Sequence, residues 1–477
     1  MARSATIERS AQMTDVEAAV ARIDDVMLDA RRDLDALVRI ESISASPERV
    51  DDVEASAQAT SAMLSRYGLE NVRIASADGS LPYVIGEWMH APGAPTVLLY
   101  AHHDVQPPGV VERWSSPPFE PVERGGRLYG RGSADDKAGA VAHAAAVAAW
   151  LRSGQALPCN VRVLVEGEEE ISSPHLAAFL AQYADELRSD VLLLADAENW
   201  RVGVPGLTYS LRGIGGIDVR LRALDGPVHS GMAGGAVPDP VMALAKVLAS
   251  LNDDRGSIAV DGFCDDVSTP SPAERDALAA LAGEEEEFRR AMGVRPGVSL
   301  VGDPAVTVWE RLWLRPALTI TGIDGHPIDG ASNQIVAAAG ARISVRMAPG
   351  QDPHRAMQRL RAHIEARVPW GLECEITEFA TPAPAWQCTP EGWAFDATKR
   401  ALRAAFGTEP VVMGVGGSIP FVGPFADAFG GIPALLLGPG DPTSAIHGED
   451  ESLHLGDWRK LVEAEVRLLA ELSAARS

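Results

Sequence analysis

A chain of 477 residues is too long for one ordinary hydrophobic core, so two or more domains are expected. Hydrophobic residues make up 46% and charged residues 23%, the balance of a globular protein that lives in water. The formal net charge of -24 argues against nucleic acid or an anionic membrane surface as a partner, although it does not constrain a small substrate held in a cleft of opposite local charge.

In chain order, residues 1 to about 13 read as a frayed tail without the apolar core of a signal peptide. Thr14 or Asp15 caps a helical pattern to about Ile40, with Val16, Val20, Ile23, Met27 and Leu34 on one face. A helix fits 54–67, strands fit Val72–Ala75, Tyr83–Glu87 and 96–100, and a small-residue helix fits Ala138–Leu151. A strand at Val161–Val165 is followed by a helix that Ser173 and Pro174 would start, and then by a strand at Val191–Leu194. Alternation of strand and helix implies a mostly parallel sheet with helices on both faces, an α/β domain.

From about residue 208 the pattern changes. Ile217–Leu224 alternates like a half-exposed strand, helices fit 239–252, 272–291 and 353–367, and strands fit 317–321, 340–347 and 373–379. This is an inserted α+β domain over 210–384, and the α/β domain comprises 1–209 and 385–477. Thr381–Ala385 reads as the return linker, followed by a helix (390–406), a strand (Ala434–Leu437) and a closing helix from about Gly456. The Glu284–Glu287 run reads as a solvated helix face. The four cysteines, Cys159, Cys264, Cys374 and Cys388, lack metal-type spacing and read as free thiols. With no run long enough for a membrane span, the expected location is the cytoplasm.

Four apolar strand-like runs end in metal-type ligands. Val97–Tyr100 leads to His102 and Asp104, Val161–Val165 to Glu166–Glu170, Val191–Leu194 to Asp196, and Ala434–Leu437 to a Gly/Pro loop carrying His447. Between the first two lies a glycine-rich turn with Asp135 and Asp136 at a helix start. In a parallel sheet the carboxyl ends of the strands lie along one edge, so these side chains can converge. Each motif alone has a bland explanation, an acidic loop or a helix start favoured by its dipole. Jointly they suit a two-metal hydrolytic site with imidazole and carboxylate ligands and no thiolate, appropriate to Zn, Mn or Co.

The motifs YAHHDVQP (100–107), LYGRGSADDKAG (128–139), VEGEEEIS (165–172), LLADAEN (193–199), TYSLRG (208–213), HSGMAGG (229–235), SVRMAPG (344–350), GGSIP (416–420) and AIHGEDESL (445–453) resemble those of the M20 metallopeptidase family, most of all its carnosinase-type cytosolic dipeptidase branch. The resemblance implies two divalent ions, with His102 and Asp196 on one, Glu170 and His447 on the other, and Asp135 bridging. It implies Asp104 behind His102 and Glu169 as general base, and a cis peptide between Asp135 and Asp136. It further implies that Arg346, Asn333 and Ser418 hold a substrate carboxylate. In a homodimer, His229 of the partner subunit would help hold the substrate carbonyl from a lid domain.

Three features depart from the pattern. His103 stands where such dipeptidases often carry Tyr, and it points away from His102, so it is not expected to be a ligand. Ile171 and Ser172 replace the commoner small residues. Asp196 replaces the Glu of many deacylases, which favours short peptides with a free carboxyl end over N-acyl or N-carbamoyl amino acids. A non-catalytic metal-binding scaffold would need the ligands but not Glu169.

Overall fold

In the computed structural model, which describes residues 14–419 and 422–476, the strand Thr96–His102 pairs in parallel with Asn160–Glu166 on one side and Val191–Leu194 on the other. Ala434–Leu436 continues the parallel set beyond Val191–Leu194. The four apolar runs are therefore neighbours in one sheet. Register levels their ends: His102 lies opposite Glu166, Tyr100 opposite Leu194, and Leu436 opposite Leu194. The residues just beyond these positions emerge along one edge, as in other open parallel sheets. Tyr83–Trp88 and Glu70–Ala75 add antiparallel strands on one side, and Gly206–Leu211 one on the other.

The strands are buried almost without interruption, which explains their continuous Val/Leu composition. The helix Lys137–Arg152 packs on Thr96–His102, and its many alanines permit close approach. Helices Ile23–Val38, Val50–Arg66, Trp393–Phe406 and Leu455–Arg476 complete the α/β unit of residues 14–209, 389–413 and 422–476.

The second unit comprises residues 210–388 and 414–419. Its antiparallel sheet has the order Ala317–Asp324, Ala338–Met347, Gly213–Arg222, Glu373–Ala383. Ile217, Val219, Leu221, Ile343, Val345 and Met347 face helices Pro240–Ala249 and Pro353–Arg367, and Asp218, Arg342 and Arg346 take the other face. Each such aliphatic side chain contributes about 1.5–3 kcal/mol on burial. A one-residue register slip would exchange Val345 with Arg346, so the core fixes where the arginine points.

Several boundaries differ from the sequence expectation. The first helix is broken at residues 21–22, and the pattern over 272–291 splits into Pro272–Ala280 and Glu285–Ala291. Ser173 and Pro174 do not begin a helix: Ser172 and Ser173 take positive φ, and the helix starts at Leu176. The supposed linker at 381–385 is largely strand, tolerated because Glu373–Ala383 is an edge strand where Pro382 forfeits no ladder bond. Residues 414–419 cluster with the second unit, although the sequence pattern assigns them to the α/β domain. The tail at 1–13 and Pro420 lie outside the described residues. Among the described residues no helix is long and apolar enough to cross a membrane.

Candidate metal centre

Asp135 lies in the turn that enters the helix Lys137–Arg152, and its two oxygens face different histidines. Oδ1 is 3.0 Å from His102 Nε2, and Oδ2 is 3.0 Å from His447 Nε2. Glu170 Oε2 is 3.1 Å from His447 Nε2, and Asp196 Oδ1 is 3.9 Å from His102 Nε2. The structure thus brings His102, Asp135, Glu170, Asp196 and His447 together from four strand ends and one helix start. It adds Asp136: the ligand atoms of His102, Asp136 and Asp196, like those of His102, Asp135 and Glu170, all lie within 4.8 Å of one another.

Contacts from behind hold His102, Glu170, the Asp135 turn and the His447 loop. His102 Nδ1 is 3.0 Å from the carbonyl of Asp104, which fixes the tautomer that leaves Nε2 available to a cation. The Asp104 carboxylate also accepts the backbone N–H groups of Glu169 at 3.2 Å and Glu170 at 3.1 Å. Gln106 donates from its backbone and its side chain to the Glu170 carboxylate. Glu451, wholly buried, accepts the N–H groups of Ala134 and Asp135 and pairs with Arg131, whose guanidinium also donates to the carbonyl of Gly448. Arg131 and Glu451 therefore tie the Asp135 turn to the His447 loop. The Asp135–Asp136 peptide is cis, in line with the family resemblance, and His447 sits at φ 62.

Burial first, and then the neighbouring carboxylates, pushes the carboxyls of Glu169, Glu170, Asp136 and Asp196 above their usual range. Asp135 goes the opposite way, since its two imidazole partners outweigh burial. Burial opposes charge on His447, but hydrogen bonds to Asp135 and Glu170 raise it to about 11. Among the described residues no Lys or Arg pairs with any of these five carboxylates, and Asp136 Oδ1 is buried without a partner. Crowded, mutually repelling acids with only two imidazoles and no Lys or Arg to offset them are costly, and a divalent ion relieves that cost. Imidazole nitrogens with carboxylate oxygens are the donors that Zn, Mn and Co take. The residues present therefore fit the metal that the family implies.

Glu169 stands apart from the ligands: its carboxyl has no side-chain partner among the described residues, yet it feels the charges of His102 and Asp196. His103 is no ligand. It is buried with Nε2 3.0 Å from the carbonyl of Pro82, and burial lowers it to about 4.

The remaining candidates lie in the second unit. Arg346 donates to Ser418 Oγ at 2.6 Å. His229 is exposed on a two-residue strand opposite Gln334, and the carbonyl of Asn333 accepts the N–H of Ser230. Sequence reasoning does not single out Asp136, Gln106, Arg131 or Glu451 as site residues, although all four stand inside the motif stretches. Arg131 and Glu451 are 320 positions apart, so their pairing leaves no local signal.

Residues 98–471 match the model described as Peptidase family M20/M25/M40. The chain is 32% identical over 440 residues to a cysteinylglycine-S-conjugate dipeptidase of Corynebacterium striatum, with 92% of this chain and 94% of that one aligned. It superposes on the di-peptidase Dug1p of Saccharomyces cerevisiae with a TM-score of 0.84 at 25% identity, covering 96% of this chain and 98% of that one. It superposes on human carnosine dipeptidase 1 with a TM-score of 0.83 at 25% identity, covering 97% and 99%. The match spans the strand of His102, the turn of Asp135 and the loop of His447, and by it the chain belongs to peptidase family M20/M25/M40.

Proposed function

We propose that the protein is a metal-dependent dipeptidase that hydrolyses the peptide bond of short peptides with a free C-terminal carboxylate. The observation that carries this reading is Asp135, set between His102 and His447, with the unpaired carboxyl of Glu169 beside them. His102 and Asp196 would hold one divalent ion, Glu170 and His447 a second, with Asp135 between them and zinc favoured over Mn or Co. Such a pair supplies charge neutralisation and acidifies a water.

The chain's own residues do the rest. Glu169, tethered through its backbone to Asp104, takes the proton of the attacking water and delivers it to the departing amine. Arg346 holds the substrate carboxylate through its planar fork, supported by Ser418 and Asn333. In a homodimer, His229 of the partner subunit donates to the carbonyl oxygen as negative charge develops there. The relatives' names, cysteinylglycine-S-conjugate dipeptidase and carnosine dipeptidase, support a small peptide substrate. The cytoplasm suits free thiols in a chain with four cysteines.

The test is a panel of dipeptides, N-acyl amino acids and N-carbamoyl amino acids, run with metal-stripped protein reloaded separately with Zn, Mn and Co. Release of two amino acids from dipeptides is expected. Turnover confined to acyl or carbamoyl substrates would overturn the dipeptidase reading and leave a deacylase.

A further inference from the structure

Arg346 has a neighbour of the same charge. On the second unit's sheet Arg346 lies opposite Ile214, and Arg212 stands just before the strand that carries Ile214, near enough to feel the charge of Arg346. Arg212 is only 9% exposed. Its Nε donates to the carbonyl of Gly416 at 3.0 Å, its Nη1 to that of Arg315 at 3.4 Å, and its backbone N–H to that of Gly417 at 3.1 Å. Arg346 reaches the next residue, Ser418. Both arginines thus grip the single segment Gly416–Ser418.

Neither guanidinium has an acidic partner among the described residues. Burial, and after it the charge of Arg346, draws Arg212 down to about 10. Buried charges are normally paired, so two adjacent unpaired guanidiniums point to an anion that the protein does not itself supply.

We propose that Arg212 is a positioning residue of the substrate-carboxylate site: it fixes the Gly416–Gly417 backbone so that Ser418 and Arg346 face the ligand, and it adds a second positive charge. This role rests on the reading of Arg346 as the carboxylate clamp. A Cβ at Gly416 would come within 2.9 Å of Arg212 Nη2, so an added methyl there would have to displace the guanidinium.

The test compares Arg212→Lys, Arg212→Met and Arg346→Ala on the best free dipeptide and on its C-terminal amide. Arg212→Lys keeps the charge and loses the fork, and should raise KM for the free dipeptide about tenfold with kcat little changed. Arg212→Met should raise it further, and the amide should be cleaved as by the parent in both. A purely structural role would instead slow both substrates alike and lower the Tm, and that result would overturn the proposal. If Arg212→Met does not fold, Arg212→Lys and Gly416→Ala decide, because each should give the same acid-selective rise in KM. If Arg346→Ala discriminates acid from amide and the Arg212 variants do not, only the role of Arg212 falls. If Arg346→Ala discriminates neither, the carboxylate reading itself falls.

Discussion

Asp104 Oδ2 accepts the backbone N–H of Glu170 at 3.1 Å, and its other oxygen accepts that of Glu169 at 3.2 Å. One buried carboxylate therefore sets two consecutive glutamates, one facing His447 and the other left unpaired. In Asp104→Asn, an amide NH2 must face one of these N–H groups. Losing that acceptor should cost about 1–3 kcal/mol of stability. Displacing the turn should lower metal affinity or kcat about 10–100-fold. Metal content and kcat of the purified variant check this, and wild-type values for both would show that the turn is held by other contacts.

Glu169→Gln keeps the shape of the side chain and its backbone tether but cannot accept a proton. Metals and substrate binding should survive while kcat falls about a hundredfold or more. Near-normal turnover with metals bound would mean that another group is the base.

Behind the site, Glu166 accepts the hydroxyl hydrogen of Tyr100 at 2.6 Å and lies 3.2 Å from the Tyr83 hydroxyl oxygen, whose own hydrogen goes to Glu168 at 2.6 Å. Burial raises its carboxyl from the ordinary 4.5 to about 8. Between those values the folded protein keeps a proton that the unfolded chain has released, so stability falls as pH rises through that window and levels off above it. Glu166→Gln stays neutral throughout, accepting from Tyr100 and donating to Tyr83. Denaturant unfolding of both proteins at pH 6 and pH 9 should show the variant losing less stability, by about 1–3 kcal/mol. Parallel losses would place the titration elsewhere.

The four parallel strands are legible in the sequence because both faces of each are buried, which leaves unbroken Val/Leu runs that stop where polar chemistry starts. The convergence of His102, Asp135, Glu170, Asp196 and His447 follows from strand ends sharing an edge. Less legible are features set by distant partners. Arg131 and Glu451 meet only after folding, and Asp136 reads in sequence as an ordinary helix-start acid. Ser173–Pro174 has the composition of a helix start, but the N–H of Ser173 bonds back to the carbonyl of Glu168, which turns the chain the other way. The role of Asp104 is half legible, since its closeness to His102 is plain, whereas its grip on the Glu169–Glu170 backbone depends on a turn about 65 residues onward.

The last prediction concerns His229, exposed beside the glycine-rich Ser230–Gly235 and carrying no catalytic partner on its own strand. A donor placed at the substrate carbonyl lowers the barrier as the oxygen becomes an anion, and the proposed dimer supplies it as His229 of the partner subunit. Glu169→Gln and His229→Ala should each be nearly inactive as homodimers. If the histidine acts across the dimer, a mixed dimer holds one site with both defects and one with neither. Half the dimers in a freely reassorted equal mixture are mixed, and half their sites are intact, so about a quarter of wild-type activity should return. If the histidine serves its own chain, both sites of the mixed dimer stay defective. Chain exchange can be followed separately with differently tagged protomers, and exchange without any recovery would rule the shared site out.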